Sequence, residues 1–171
     1  MECTIWTIGH STRSFEDFAS ILVAQRIEVV ADVRRFPGSR RLPHFGRDAL
    51  EPALARIGVN YHWISELGGR RRADGPIGAT RWRHPAFAAY AAHVESAEVA
   101  VGLQELLTIA DGMRTVIMCA EVLWWRCHRR LIADVLTAVG CDVMHLRTSA
   151  DGELHRLTEP ARLVRGRLTY D

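Results

Sequence analysis

Five short, β-prone apolar runs alternate along the chain with segments that have helical periodicity. The predicted strands are residues 4–8, 27–33, 60–64, 115–118 and 142–146. The predicted helices are residues 15–25, 47–57, 85–94, 97–110 and 126–139. This alternation is typical of an α/β fold, in which helices flank a mostly parallel, Rossmann-like sheet. We predict one layered α/β domain over residues 1–171, with a short C-terminal hairpin over residues 161–170.

Local signals mark several of these element ends. Ser14, with Asp17 three residues later, resembles the capping box that opens a helix. Gly58 and Gly140 follow the second and fifth predicted helices, where glycine commonly ends a helix. Residues 70–84 have no periodicity, which is typical of a long functional or mobile loop.

Composition excludes several classes of protein. The chain has 171 residues, which is the size of one domain, and it contains no run of about 18 apolar residues that could span a membrane. Its first residues show no basic segment followed by an apolar core, so we expect no secretory signal. Four cysteines without a Cys-x-x-Cys pair are too few for a disulfide scaffold. We therefore expect reduced thiols and a cytoplasmic location.

All 22 basic residues are arginine, and they are unevenly distributed. Residues 34–83 contain eleven arginines against four acidic residues, so this segment carries a net charge of +7 in a chain of net charge +2. Arginine binds phosphate and carboxylate groups through two parallel hydrogen bonds. A local excess in a nearly neutral chain favours one anion site over general polyanion binding. Solvated surface arginines are the alternative interpretation.

Polar or reactive residues follow three of the predicted strands. They are His10 and Ser11 after the first, Asp32 and Arg34 after the second, and Cys119 and Glu121 after the fourth. Ligands of open parallel sheets bind outside the carboxyl ends of the strands. The sequence therefore predicts that these residues share one site.

The segment around residues 119–129 supplies candidates for catalysis. Cys119 is a candidate nucleophile, because a cysteine near a helix N-terminus, arginine or protonated histidine can have a lowered pKa. Glu121, His10 and His128 are candidate acids or bases, and Arg129 is a candidate anion clamp. A buried structural thiol at Cys119 and a backbone-bonded turn residue at His10 remain open alternatives.

Loop residues complete the predicted site. The candidates for binding substrate or anion are Ser11, Asp32, Arg34, Ser39, Arg40, Gly68, Gly69, Arg70 and Arg129. The two glycines permit close backbone approach beside anion-binding side chains. An ion pair between Asp32 and Arg34 is the alternative to a role in binding. Trp124 and Trp125 can stack on a base or ring, or pack in the core.

The same segments resemble a known family. The matching pieces are Thr7-Ile8-Gly9-His10-Ser11, Asp32-Val33-Arg34 with Pro37, Ser39-Arg40 and Phe45, then Tyr61, Leu67-Gly68-Gly69, Cys119-Ala120-Glu121, Cys127-His128-Arg129 and His145. In this order they resemble the bacterial and archaeal family called domain of unknown function 488. Many relatives carry Asp-Pro where this chain has residues 123–125. The resemblance implies an α/β fold and supplies no established activity.

Three functions are compatible with these observations. The leading hypothesis is an enzyme, a cysteine-dependent transferase or hydrolase, that acts on a small phosphate- or nucleotide-containing substrate. The first alternative is a non-catalytic nucleotide- or nucleic-acid-binding module. The second is a metal-binding protein that uses Cys119, Cys127, His128 and His145. We expect no membrane partner, and the sequence identifies no cofactor and no oligomeric state.

Overall fold

Five parallel strands form the centre of the sheet in the computed structural model, which describes residues 3–69, 71, 80–150 and 152–171. The strands are β1 (Cys3–Gly9), β2 (Val29–Asp32), β3 (Asn60–Trp63), β4 (Thr115–Cys119) and β5 (Cys141–Leu146). Their order across the sheet is β3-β2-β4-β1-β5. A two-residue strand, β6 (Glu153–Leu154), pairs antiparallel with β5 at the edge. The sheet is thus mostly parallel, as predicted.

Helices cover the two faces of this sheet. They are α1 (Phe15–Ala24), α2 (Arg47–Arg56), α3 (Pro85–Val94), α4 (Ala97–Ala110) and α5 (Arg129–Ala138). Buried residues of α1 and α2 form one apolar cluster, and those of α3, α4 and α5 form another. Successive strand residues alternate between the clusters, because their side chains point to opposite faces of a sheet. The predicted α/β fold is therefore confirmed.

The C-terminal hairpin is also present. Its strands are β7 (Arg162–Val164) and β8 (Arg167–Thr169), which pair antiparallel. Arg165 and Gly166 form the turn with φ of 52° and 78°. Two consecutive positive φ values are what a tight two-residue hairpin turn requires. The hairpin predicted over residues 161–170 is therefore confirmed.

The start of α5 differs from the prediction. Residues Trp124–Arg126 form a 3₁₀ turn, and Cys127 is extended with φ of −126° and ψ of 154°. The helix therefore begins at Arg129 rather than at residue 126, and His128 is its N-cap. As a result, Cys127 and His128 lie at the junction between the loop and the helix.

A disulfide joins the first and fifth strands. Cys3 and Cys141 are register partners in the pairing of β1 with β5, and a disulfide links them. The expectation that all four thiols are reduced is therefore wrong for this pair. The two cysteines are 138 residues apart, so only the strand order brings them together. Cys119 and Cys127 carry free thiols.

The described helices are short relative to the thickness of a bilayer. In the ranges that the structure describes, no helix is both long enough and apolar enough to cross a membrane. The longest of these helices, α4, has 14 residues and carries two exposed charged side chains, Glu98 and Glu105.

Candidate functional site

The carboxyl ends of β2, β4 and β1 lie next to one another at one edge of the sheet. β4 is paired with β2 on one side and with β1 on the other. The backbone N–H of His10 donates to the carbonyl of Cys119 at 2.9 Å, and that of Ser11 donates to the carbonyl of Ala120 at 3.0 Å. These hydrogen bonds join the loops after β1 and β4. The site residues that the sequence predicts after these strands therefore lie at a common edge of the sheet.

Gly9 permits this close approach. A Cβ atom at Gly9 would collide with the carbonyl group of Glu121 and would lie 2.7 Å from the Cα of Val122. Real Cβ atoms essentially never approach backbone atoms so closely, and a backbone neighbour cannot rotate away. Glycine is therefore required here by the loop that follows Cys119, not by a ligand.

Two free cysteines form the centre of the site. The Sγ atoms of Cys119 and Cys127 are 2.8 Å apart, and both residues are buried. The Cys127 sulfur also lies 3.4 Å from Nδ1 of His128 and receives the backbone N–H of Arg129 at 3.5 Å. The Cys119 thiol and the Arg129 N–H, which can donate a hydrogen bond, and one imidazole nitrogen of His128 thus face one sulfur atom.

Protein contacts fix the orientation of the His128 ring. Its Nε2 lies 3.0 Å from the carbonyl oxygen of Val33. A carbonyl can only accept, so Nε2 carries the proton and Nδ1 is directed at the sulfur of Cys127. The backbone at Gly69 packs against the ring, since a Cβ there would lie 2.7 Å from Nδ1. The His128 ring is therefore held with Nδ1 facing a thiol, which is the arrangement that nucleophilic cysteine chemistry requires.

The two thiols have opposite pKa shifts. Burial opposes ionisation of Cys127, but the hydrogen bond from Cys119 and the charges of His128 and Arg129 set its pKa well below the ordinary value. Burial and the neighbouring Cys127 raise the pKa of Cys119. The expected lowering of the Cys119 pKa is therefore corrected, because the environment stabilises a thiolate at Cys127 and a protonated thiol at Cys119.

Arg129, which the sequence predicts to bind an anion, contacts protein groups in the structure. Its guanidinium is buried and donates to the carbonyl oxygens of Glu121 and Val122 and to Oγ1 of Thr7. Burial opposes its charge, but the neighbouring cysteines raise its pKa. Arg129 therefore holds the loop after β4 and keeps a positive charge beside the cysteine pair.

The Glu121 side chain faces away from the cysteines. It is exposed, and its Oε1 accepts a hydrogen bond from the backbone N–H of Leu123 at 3.1 Å. Its backbone carbonyl, by contrast, lies 3.7 Å from Sγ of Cys119. A role for the carboxylate as acid or base remains a prediction.

His10 is a neutral, fixed ring at the end of β1. It is stacked on Phe45 with ring centroids 4.4 Å apart, and its Nδ1 donates to the carbonyl of Ser11 at 2.8 Å. Nε2 is left as an acceptor and faces the guanidinium of Arg34 at 3.4 Å. Burial, together with the charge of Arg34, lowers the pKa of His10 to about 4. The bond from Nδ1 to the backbone agrees with the turn-residue interpretation. A role of His10 as an acid or base remains a prediction.

Asp32 and Arg34 form the ion pair that was the alternative to a binding role. The carboxylate accepts from Nε and Nη2 of Arg34 at 2.9 and 2.7 Å, and also from the hydroxyl of Tyr61 at 2.5 Å. Burial alone would lower the pKa of Arg34, but Asp32 raises it. One guanidinium nitrogen, Nη1, remains directed at His10.

The other residues predicted to bind substrate or anion are Ser39, Arg40, Gly68 and Arg70. Ser39 Oγ accepts the backbone N–H of Leu42 at 3.0 Å, and Arg40 is exposed. Gly68 packs on the backbone of Arg35, where a Cβ would lie 2.7 Å from its Cα. Arg70 lies outside the described residues. The close approach predicted for the glycine pair is thus made to protein groups.

The site geometry does not support the metal-binding interpretation. Two thiolates that bind one zinc ion at about 2.3 Å in a tetrahedron lie roughly 3.8 Å apart, well beyond the separation of this pair. Both ring nitrogens of His145 are engaged by other side chains. Within the described ranges, three or more His, Cys, Asp or Glu side chains nowhere form a group that could hold a metal ion.

Comparison with known proteins adds the family. The family model described as Domain of unknown function DUF488 matches residues 14–136, well over half of the chain. The chain belongs to the DUF488 family. No curated protein and no solved structure matches it. The DUF488 match includes the free cysteine pair and α5 as far as residue 136, but neither β1 nor β5.

A buried chain of hydrogen bonds, which the sequence analysis missed, extends from Arg129 through this DUF488 fold. Arg129 Nη1 donates to Thr7 Oγ1 at 3.3 Å, and this hydroxyl contacts Nδ1 of His145 at 2.7 Å. His145 Nε2 contacts Nδ1 of His155 at 2.9 Å, and His155 Nε2 contacts Asp134 at 2.9 Å. A guanidinium can only donate and a carboxylate can only accept, so Arg129 donates to Thr7 at one end of the chain and His155 donates to Asp134 at the other.

His145 is neutral in the middle of this chain. Burial, with smaller effects of His155 and Arg129, lowers the pKa of His145 to about 2. Trp124 covers the ring, stacked in parallel with centroids 4.2 Å apart. One face of Trp124 is therefore used by the protein. Trp125 remains 37% exposed.

Alanine at Gly69 should disturb the thiolate without touching either cysteine. The added Cβ would push the His128 ring away from Cys127, so we expect alkylation of Cys127 at pH 6 to slow by about 3- to 10-fold. Mass spectrometry of alkylated peptides measures this rate. Gly38→Ala is the matched control, since no described atom lies within 4 Å of the added Cβ. Equal rates in the two variants would show that His128 does not stabilise the thiolate.

The low pKa of His10 predicts a loss of stability in acid. The unfolded chain binds the proton near pH 6.5 and the folded chain only near pH 4, so stability falls as pH drops through this window. Between pH 7 and 4.5, His10→Asn should lose about 2–3 kcal/mol less than the wild type. Urea denaturation at both pH values measures the difference. The exposed His62 provides the control variant, His62→Asn, and an identical pH response in all three proteins would refute the prediction.

Proposed function

We propose that this protein is a cysteine-dependent enzyme, a transferase or hydrolase, in which Cys127 is the nucleophile. The arrangement around its sulfur supports this most directly. The thiol of Cys119, Nδ1 of His128 and the backbone N–H of Arg129 all face Cys127 Sγ. Two donors and an imidazole nitrogen that can take the proton of Cys127 favour a thiolate, whereas a purely structural thiol needs none of these groups.

His128 supplies the acid–base chemistry in this proposal. Its Nδ1 takes the proton of Cys127, and the sulfur then attacks an electrophilic carbon or phosphorus atom of the substrate. The leaving group departs with the proton that His128 returns. Water or a second substrate then attacks the covalent intermediate, gives its proton to His128, and releases the thiolate of Cys127.

The sequence beside two neighbours of His128 supports an anionic substrate. Val33 and Gly69 bound the ring and are followed in the sequence by the arginine-rich segments 34–41 and 70–72, of which residues 70 and 72 lie outside the described structure. Arginine at these positions suits phosphate groups through bidentate hydrogen bonds. We therefore propose a small phosphate- or nucleotide-containing substrate.

Trapping a covalent intermediate tests this function. The protein is incubated with acyl phosphates, sugar phosphates or nucleoside triphosphates, and each reaction is quenched in acid. The masses of the peptides that contain Cys119 and Cys127 are then compared with those from untreated protein. We expect an adduct on Cys127 and a turnover that falls at least about 10³-fold in Cys127→Ser. The double variant Cys3→Ser/Cys141→Ser, which removes the two cysteines outside the site and frees no new thiol, is the control. Turnover that survives in Cys127→Ser would overturn the proposal.

A further inference from the structure

We propose that Cys119 and Cys127 are a redox-active dithiol that a small-molecule disulfide oxidises reversibly to an intramolecular disulfide. The first observation is the distance between the sulfurs. At 2.8 Å they need to move together by only about 0.8 Å to reach the bond length of a disulfide. A shift of this size is within the reach of side-chain rotation at the end of a strand and in a loop.

The second observation is the difference between the two sulfurs. Cys127 faces the Cys119 thiol, Nδ1 of His128 and the backbone N–H of Arg129, whereas Cys119 has Cys127 and the carbonyl of Glu121 as its partners. Cys127 is thus placed to attack as a thiolate, and Cys119 holds its proton until later. Thiol–disulfide exchange requires this pairing of an attacking thiolate with a second, resolving thiol.

The reaction balances without any group beyond the disulfide. The Cys127 thiolate attacks a disulfide R–S–S–R, forms a mixed disulfide and releases one thiolate, which takes the proton that Cys127 gave to Nδ1 of His128. Cys119 then gives its proton to Nδ1 of His128, attacks the sulfur of Cys127, and releases the second R–S group, which leaves as a thiol with that proton. Two protein thiols are oxidised, and one small disulfide is reduced to two thiols.

The other two cysteines do not compete for this role. Cys3 and Cys141 are already joined to each other across β1 and β5. Oxidation of the free pair would consume the thiolate that the proposed enzyme needs, so the dithiol would also act as an on–off control. This last consequence rests on the proposed function, whereas the exchange reaction does not.

Peptide mapping after exposure to disulfides tests the inference. The full chain is incubated with oxidised glutathione or the smaller hydroxyethyl disulfide, quenched in acid, alkylated and digested. We expect a peptide pair linked through Cys119 and Cys127, and at least about tenfold less alkylation of Cys127 than before oxidation. Dithiothreitol should reverse both changes. The linked Cys3–Cys141 peptide reports that the fold is intact.

Single variants identify the two roles. Cys119→Ser should accumulate a mixed disulfide on Cys127, because the resolving thiol is missing, while Cys127→Ser should leave Cys119 unmodified. If both disulfides fail to oxidise the wild type while Cys127 still reacts as a thiolate, the dithiol proposal is wrong and the enzyme proposal stands. If the Cys119–Cys127 disulfide forms but Cys127→Ser retains full turnover, the enzyme proposal is wrong and the dithiol stands.

Discussion

Asparagine in place of Asp134 should lower the free energy of unfolding by about 3–5 kcal/mol. Four donors converge on this buried carboxylate. Oδ1 accepts from His155 Nε2 and the backbone N–H of Thr158, each at 2.9 Å, and Oδ2 accepts from the hydroxyls of Thr158 and Tyr170 at 2.6 and 2.9 Å. An asparagine amide nitrogen cannot accept, so two of these donors would lose their partner in a buried site.

Urea denaturation of Asp134→Asn measures this loss. Asp142→Asn is the matched control, because Asp142 is exposed on β5 and its substitution should change stability by less than about 0.5 kcal/mol. A change for Asp134→Asn as small as that of the control would mean that the C-terminal segment does not depend on these hydrogen bonds.

Glutamine in place of Arg129 should have two effects together. It removes a buried cation with three acceptor groups, so we expect a loss of about 2–4 kcal/mol in the free energy of unfolding. It also removes a positive charge that lowers the pKa of Cys127. Alkylation of Cys127 at pH 6 should therefore slow by about tenfold.

The second effect distinguishes an electrostatic role from a structural one. Arg126→Gln is the control, since Arg126 carries the same charge on the exposed 3₁₀ turn three residues earlier. It should leave the stability and the alkylation rate nearly unchanged. If Arg129→Gln unfolds more easily but Cys127 keeps its reactivity in the folded protein, the guanidinium stabilises the loop after β4 and does not lower the pKa of Cys127.

The edge of the sheet on which the site lies could be predicted from the sequence. His10, Asp32 and Cys119 each end an apolar run, and the carboxyl ends of parallel strands lie on the same side of a sheet. The strand order then made β2, β4 and β1 immediate neighbours. The prediction of this edge uses only local patterns and one general rule of sheet geometry, so it required no knowledge of the strand order.

The choice between the two cysteines could not be made in the same way. It depends on where α5 begins, on the carbonyl of Val33 that orients His128, and on which atoms face which sulfur. These contacts join segments up to 95 residues apart. The sequence indicated only that charge near residue 119 could lower a cysteine pKa, and the three-dimensional arrangement directs that effect to Cys127.

The buried chain from Thr7 to Asp134 and the disulfide were missed for a related reason. Thr7 and His145 are register partners on β1 and β5, as Cys3 and Cys141 are. Pairing between the first and fifth strands follows from the topology of the whole sheet, which periodicity does not encode. The short strand β6 was missed because two residues carry no periodic signal.

The central claim is that the thiolate of this site is at Cys127, and a titration of thiolate ultraviolet absorbance tests it without requiring reagent access. The wild type, Cys127→Ser and Cys119→Ser are titrated over the pH range in which each stays folded. We predict a transition with a midpoint well below the ~8.5 of a free cysteine in the wild type, and its absence in Cys127→Ser. A midpoint at or above ~8.5, or a low midpoint that persists in Cys127→Ser and disappears in Cys119→Ser, would contradict the account.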